Sequence, residues 1–517
     1  MFDITFNNGK IIDGKGNKIE RKNIAIKDGI IAEISDNELH GKENYDISGL
    51  YLCPGFIDVH THSDIRVLSK PTEKLYQGIT TEVIGNCGFS AFQLPNLDMD
   101  LISKFVSPIF LGMVTKENIL KIEDYLSYIE GNISNSVSIL LGHGNLRFVL
   151  GEHQKKELSD SEINKLTSIL DEVLSIRGVK GMSLGLEYPP GSFSGIKELI
   201  SLCKILEKHN SIIAIHLRNY YDQLIHSVEE ALSLARQTGV SVQISHLQNC
   251  YYEMNPDGIQ RALEIIGDAN EKEGLNVHHD MYPYLAGSSV LTYFLPDYVL
   301  QDGKEHMLKL LQNKVSRQEI IMKMKNWRFI NWDKTFINFI PSGDQKVIGK
   351  NFSALADKFK KTPEEVLFDT LIKENGEGTF IKFDKSEKDL IETLKSKYSL
   401  LGSDSIWSSQ KSHPRLYDSF IRFLKRYVID KNIMSLEEAI AKCTFLSAKK
   451  FNLSNVGCIE KGRIADITIL DLNSLEDRST FENPAQKPLG VINVIQGGEF
   501  AIKNNIVTNT SLGRVVE

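Results

Sequence analysis

Short apolar runs alternate with longer stretches of helical period through the middle of this chain, whereas both ends carry only short runs broken by turns. In the middle, runs of strand type fall at 55–60, 80–86, 136–142, 179–185, 212–215, 240–245, 275–280 and 398–403. Most are separated by segments with apolar residues at helical spacing, opened by capping signals such as Ser159-x-x-Glu162 and Thr362-Pro363-Glu364-Glu365. Eight strands alternating with helices predict an α/β fold, a (β/α)8 TIM-like barrel. The stretch from about 290 to 397 is too long for one crossover and predicts an inserted subdomain before the eighth strand. The turn-broken runs at the ends predict a small β-sandwich built from both termini, residues 1–54 with 455–517, around a barrel of residues 55–454.

Composition narrows the class. The 517 residues are 41% hydrophobic, enough for a large core, and the formal net charge of −7 gives no general attraction to nucleic acid or to an anionic membrane. A basic stretch from Lys304 to Arg328 reads as the solvated face of helices in the insertion. No apolar run reaches transmembrane length and the start lacks a signal-peptide pattern, so a cytoplasmic protein with a small-molecule substrate is expected. Six scattered cysteines, none in a Cys-x-x-Cys pair, give no disulfide framework. The oligomeric state is left open.

The chemistry gathers at the strand ends. His60 and His62 follow the run Pro54 to Val59, Cys87 follows Thr81 to Asn86, His216 follows Ile212 to Ile215, His246 follows Val240 to Ser245, and Asp404 follows Ser399 to Ser403. A lone histidine or cysteine at a strand end is usually a packed core residue. Six metal-type ligands at the same end of five candidate strands are not independent accidents, because a parallel barrel gathers those ends on one face. They predict a hydrolase with one or two divalent metals. Asp404, beside the metal, is the candidate general base and acid, and the fork of Arg415, eleven residues on, suits bidentate capture of a carboxylate.

The segment Pro54-Gly55-Phe56-Ile57-Asp58-Val59-His60-Thr61-His62 resembles the first-strand motif of the amidohydrolase superfamily. Gly85-Asn86-Cys87-Gly88, Gly142-His143-Gly144-Asn145, Gly185-Leu186-Glu187-Tyr188-Pro189-Pro190, Tyr282-Pro283-Tyr284 and His413-Pro414-Arg415 resemble its N-acyl-D-amino-acid deacylase (D-aminoacylase) branch, over almost the whole chain. The resemblance implies a tight zinc held by Cys87, His216 and His246, and a weaker second site at His60, His62 and Asp404. It places Cys87 where other branches use a carboxylated lysine, so that Lys180 is not needed as a ligand. It implies that Arg415, Tyr282 and Ser288 hold the substrate's α-carboxylate, with Tyr188 a further pocket wall. His143 and Glu187 are read as supporting groups.

One position departs from the pattern: Gln248 stands where many deacylases of this branch carry a lysine, which weakens any carry-over of a preference for acidic D-amino acids. Two further readings remain open. One is a cyclic-amide hydrolase of hydantoinase or dihydroorotase type, separable by ring opening; the other is a non-catalytic scaffold, separable by absence of zinc.

Overall fold

The computed structural model describes residues 1–94, 121–151, 156–250, 252–327 and 330–517, with backbone alone for 326 and 327. Arg328 of the basic stretch lies outside these residues.

All eight expected strands form and pair in parallel in chain order: β1 (Phe56–Asp58), β2 (Ile79–Ile84), β3 (Ser136–Gly142), β4 (Val179–Gly185), β5 (Ile212–His216), β6 (Ser241–Ile244), β7 (Val277–Met281) and β8 (Ser399–Leu401). They read as near-continuous apolar runs because helices cover the sheet, and the side chains of β2 and β3 are buried along their whole length. Two helices begin where the sequence signals a cap. Ser159 and Thr362 each accept from the backbone N–H of the glutamate three residues on, whose side chain reaches back to complete a capping box.

The barrel closes in an unusual place. No strand ladder joins β8 to β1; the two are linked beyond their ends by a bridge between Thr61 and Ser405, by Asp404 N–H donating to His60 O at 2.7 Å, and by His62 N–H donating to Ser405 O at 3.1 Å. The seam is therefore made by the segments that carry His60, His62 and Asp404.

The two ends of the chain build one continuous nine-stranded sheet, in which Tyr51–Pro54 pairs antiparallel with Ile467–Leu470. Its core takes Phe6, Ile24 and Leu52 from one end and Ile467, Ile469 and Ile495 from the other. The last residues leave this sheet: Val516 N–H donates to Val137 O, and Val515 packs in the barrel core.

The insertion differs from its expected bounds at both edges. It starts with the strand Ala286–Val290, which pairs antiparallel with Thr379–Phe383, itself paired with Thr335–Phe339. Gly287-Ser288-Ser289 has no strand signature of its own; the partner strand supplies the pairing. At the other edge the helix Glu387–Lys395 belongs to the barrel, burying Leu390 and Leu394 against the core behind β7 and β8. Between these limits the insertion has its own core, with Leu291, Phe294, Leu311, Ile337, Phe352 and Phe380 buried together.

Candidate metal centre

At the C-terminal end of the barrel strands, the six candidate ligands meet in one buried cluster. The donor atoms of Cys87, His216 and His246 lie within 4.8 Å of one another, and the same holds for His60, His62 and Cys87, and for His60, His246 and Asp404. Cys87 Sγ is 3.3 Å from His60 Nε2 and 3.7 Å from His246 Nε2. Asp404 Oδ1 is 3.5 Å from His60 Nε2 and 3.3 Å from His62 Nε2. Lys180 opens β4 at the opposite rim, close to Glu517, away from these donors.

The backbone is bent to present them. Cys87, His246 and Asp404 all have left-handed φ, at 54°, 35° and 49°, a region non-glycine residues rarely enter and that commonly carries strain at functional sites. Around Cys87 the turn is tight enough to need glycine: a Cβ on Gly85 would come 1.9 Å from Leu140 O.

Charge is concentrated here. Burial would raise the Cys87 thiol, but the His60 charge and hydrogen bonds from His216 and His246 draw it well below its ordinary range, toward the thiolate. His62 and His216 are lifted to about 9 against the effect of burial, the first by Asp404 and Cys87, the second by Cys87 and Glu187. Burial and the neighbouring His216 charge lower His246. Asp404 is held well below the usual carboxylate range in spite of burial, by Arg415 and the histidines.

A thiolate grouped with imidazoles is the borderline-soft donor set that zinc takes, and the Nδ1 atoms of His62, His216 and His246 are buried with no hydrogen-bond partner. The residues fit such an ion. Two supporting groups are visible. Glu187 Oε2 lies 2.9 Å from His216 Nε2, and Asp280 Oδ1 accepts from His246 N–H at 2.9 Å while lying 3.2 Å from His60 Nδ1. Asp280 was not among the residues singled out from sequence, although its place at the end of β7 is the same signal that marked the ligands. Lys74 was missed as well. It is 2% exposed, pairs with buried Asp58, and donates to Ser403 Oγ at 2.7 Å and Ser405 Oγ at 2.8 Å, gripping both neighbours of Asp404.

Residues 370–501 match the model of the amidohydrolase family. D-aminoacylase of Alcaligenes xylosoxydans xylosoxydans is 27% identical over 522 residues, covering 100% of this chain and 97% of that one. Over its whole length the chain is similar to D-aminoacylase, and its residues 370–501 resemble the amidohydrolase family. A crystal structure of D-aminoacylase superposes with a TM-score of 0.84 at 26% identity over 100% of both chains. The N-acyl-D-glutamate deacylase of Bordetella bronchiseptica, solved with zinc and a phosphonate mimic of the tetrahedral intermediate, gives 0.82 at 26% identity over 100% of this chain and 99% of that one.

A pocket opens from the donor cluster toward the insertion, walled by His62, Tyr188, His216, Tyr282, Ser288 and Asp404 among others. Tyr188 donates to Cys87 O at 2.7 Å and stacks on Phe89. Tyr282 donates to Gln248 Oε1 at 3.1 Å. Arg415 does not line the pocket. It is fully buried behind it, with Nη1 2.8 Å from Asp404 Oδ2, Nη2 donating to Ser288 O at 3.3 Å, and its guanidinium 4.6 Å from the centre of the Tyr282 ring. His143 is an interior group whose Nε2 lies 2.7 Å from Glu198, away from the donor cluster. No helix among the described residues is long and apolar enough to cross a membrane.

Proposed function

We propose that the protein hydrolyses the amide bond of N-acyl-D-amino acids, giving a carboxylate and a free D-amino acid, with zinc held by Cys87, His216 and His246. The observation that carries this reading is the Cys87, His216 and His246 donor group at one end of the barrel, in a chain similar over its whole length to D-aminoacylase. A second, weaker metal position is assigned to His60, His62 and Asp404.

Zinc held by Cys87, His216 and His246 would supply Lewis acidity toward the amide carbonyl and the attacking water. The protein's own part is proton handling and positioning. Asp404, ionised near neutral pH and facing His60 and His62, takes a proton from the attacking water and returns it to the leaving nitrogen. Asp280 holds the His60 ring and the His246 backbone, and Glu187 holds His216, which orients these donors. Tyr282 and Ser288 line the pocket where the α-carboxylate is proposed to bind, with Arg415 directly behind them. Tyr188 closes the wall beside Cys87 and His216.

The test is a screen of N-acetyl and N-formyl D- and L-amino acids with zinc-loaded protein, following free amine, alongside hydantoin and dihydroorotate. Release of amine from D-substrates is expected. Ring opening with no amine release would replace this reading by the cyclic-amide one.

A further inference from the structure

Two lysines of the insertion are buried in the wall of the pocket that faces the donor cluster. Lys382 lies on the strand Thr379–Phe383 and Lys385 just beyond it, and their side chains are only 5% and 4% exposed. One carboxylate serves both: Asp384 Oδ2 is 3.3 Å from Lys382 Nζ, and Oδ1 is 2.7 Å from Lys385 Nζ. Two cations sharing one anion leave this buried group with a surplus positive charge, which is costly in a desolvated wall unless a further anion arrives.

The two ammoniums have different surroundings. Lys382 is tied into the wall, donating to the Tyr221 hydroxyl at 3.1 Å; that hydroxyl is 2.9 Å from Tyr293 Oη, which donates to Glu187 Oε1 at 3.0 Å. Lys385 lines the pocket close over Gly287. A Cβ on Gly287 would stand only 3.0 Å from Lys385 Nζ and 3.3 Å from Tyr282 Oη, so glycine lets the ammonium and the phenol approach the backbone at the pocket wall. The Tyr282 ring has two cations near it, with Arg415 at 4.6 Å and Lys385 at 5.6 Å from its centre. Arg415 is already charge-matched by Asp404, whereas the lysine pair is matched only in part.

We propose that Lys385, backed by Lys382 and lining the pocket beside Tyr282, is an anion subsite that takes the side-chain carboxylate of an acidic N-acyl-D-amino acid. The proposal rests on the deacylase reading above and names its substrate class. A cation from the insertion then does the work that Gln248 cannot do, from the same wall, since Gln248 is already hydrogen-bonded to Tyr282. Burial opposes the charge on Lys385, but Asp384 more than restores it, so the group remains an ammonium. Charge-assisted bonds of this kind discriminate against a neutral isostere, which would leave the surplus charge of the lysine pair unmatched.

The experiment compares N-acetyl-D-glutamate with its near-isostere N-acetyl-D-glutamine, and with N-acetyl-D-methionine, on zinc-loaded wild type and Lys385→Met. The wild type should favour the glutamate over the glutamine by at least about tenfold in kcat/KM. Lys385→Met should erase that preference by lowering turnover of the glutamate alone. A wild type that does not prefer the glutamate overturns the subsite without any variant. So does an equal loss on all three substrates, which would assign Lys385 to the α-carboxylate or to the fold. Turnover of the neutral substrates keeps the deacylase reading in either case, whereas no turnover of any of the three removes that reading and the subsite together.

Discussion

Arg415 Nη1 lies 2.8 Å from Asp404 Oδ2, so the arginine expected to meet substrate is also the counter-ion of the candidate proton carrier. A guanidinium shared in this way links substrate binding to the charge state of Asp404. Arg415→Lys keeps the charge but loses the planar fork, and should lower kcat/KM on an N-acyl-D-amino acid by about tenfold or more, as expected for charge-assisted bonds of ~1.5–3 kcal/mol. On the corresponding amino-acid amide, which lacks the α-carboxylate, the loss should be smaller, reflecting Asp404 alone. Equal losses on acid and amide would make Arg415 a positioning residue for Asp404 only.

Metal content separates the two proposed positions. Cys87→Ala, His216→Ala and His246→Ala should each strip the tight zinc and abolish turnover, while His60→Ala should weaken only the second metal. Because Cys87 Sγ also lies 3.3 Å from His60 Nε2, its loss should disturb both positions. Mass spectrometry of metal per chain checks this. A full equivalent of zinc in Cys87→Ala would refute the ligand assignment, and no zinc in the wild type would revive a non-catalytic scaffold.

Asp404→Asn should leave the tight zinc bound and substrate able to dock, yet reduce kcat by about 10² to 10⁴-fold, because an amide cannot carry the proton. Steady-state kinetics at saturating substrate read the effect. Wild-type turnover would remove Asp404 from the proton path.

Lys74 pairs with Asp58 in the interior and holds Ser403 and Ser405 on either side of Asp404. Lys74→Met leaves the Asp58 carboxylate buried without its cation and should destabilise the protein by about 3–5 kcal/mol. The shift in the midpoint of chemical denaturation measures it. Replacing Asp58 by Asn in the same chain should recover part of the loss, and no recovery would mean that the pair is not coupled.

Much of this arrangement is local and was therefore legible. The eight barrel strands are buried apolar runs, and their lengths and spacing carry that information within each segment. His60, His62, Cys87, His216, His246 and Asp404 could be picked out because a parallel barrel brings one end of every strand to the same face, so that position along a strand stands in for position in space. Arg415 was legible as a residue type near Asp404, but not as its ion-pair partner, since the distance between two side chains depends on how the intervening loop folds.

Other features arise only from segments distant in the chain. The left-handed φ of Cys87, His246 and Asp404 belongs to the turns beyond the strands; histidine and aspartate enter that region more readily than most residues, but cysteine carries no such signal. Ala286–Val290 is a strand because Thr379–Phe383 pairs with it across the insertion. Asp280 reaches His60 and His246 from β7, and Lys74 reaches Asp58, Ser403 and Ser405 across the barrel seam. Lys382 and Lys385 read along the chain as ordinary charged residues of an insertion. Their placement in the pocket wall, sharing one carboxylate beside Tyr282, was decided when the insertion folded over the barrel mouth, because burial and counter-charge belong to the assembled structure and not to any stretch of sequence.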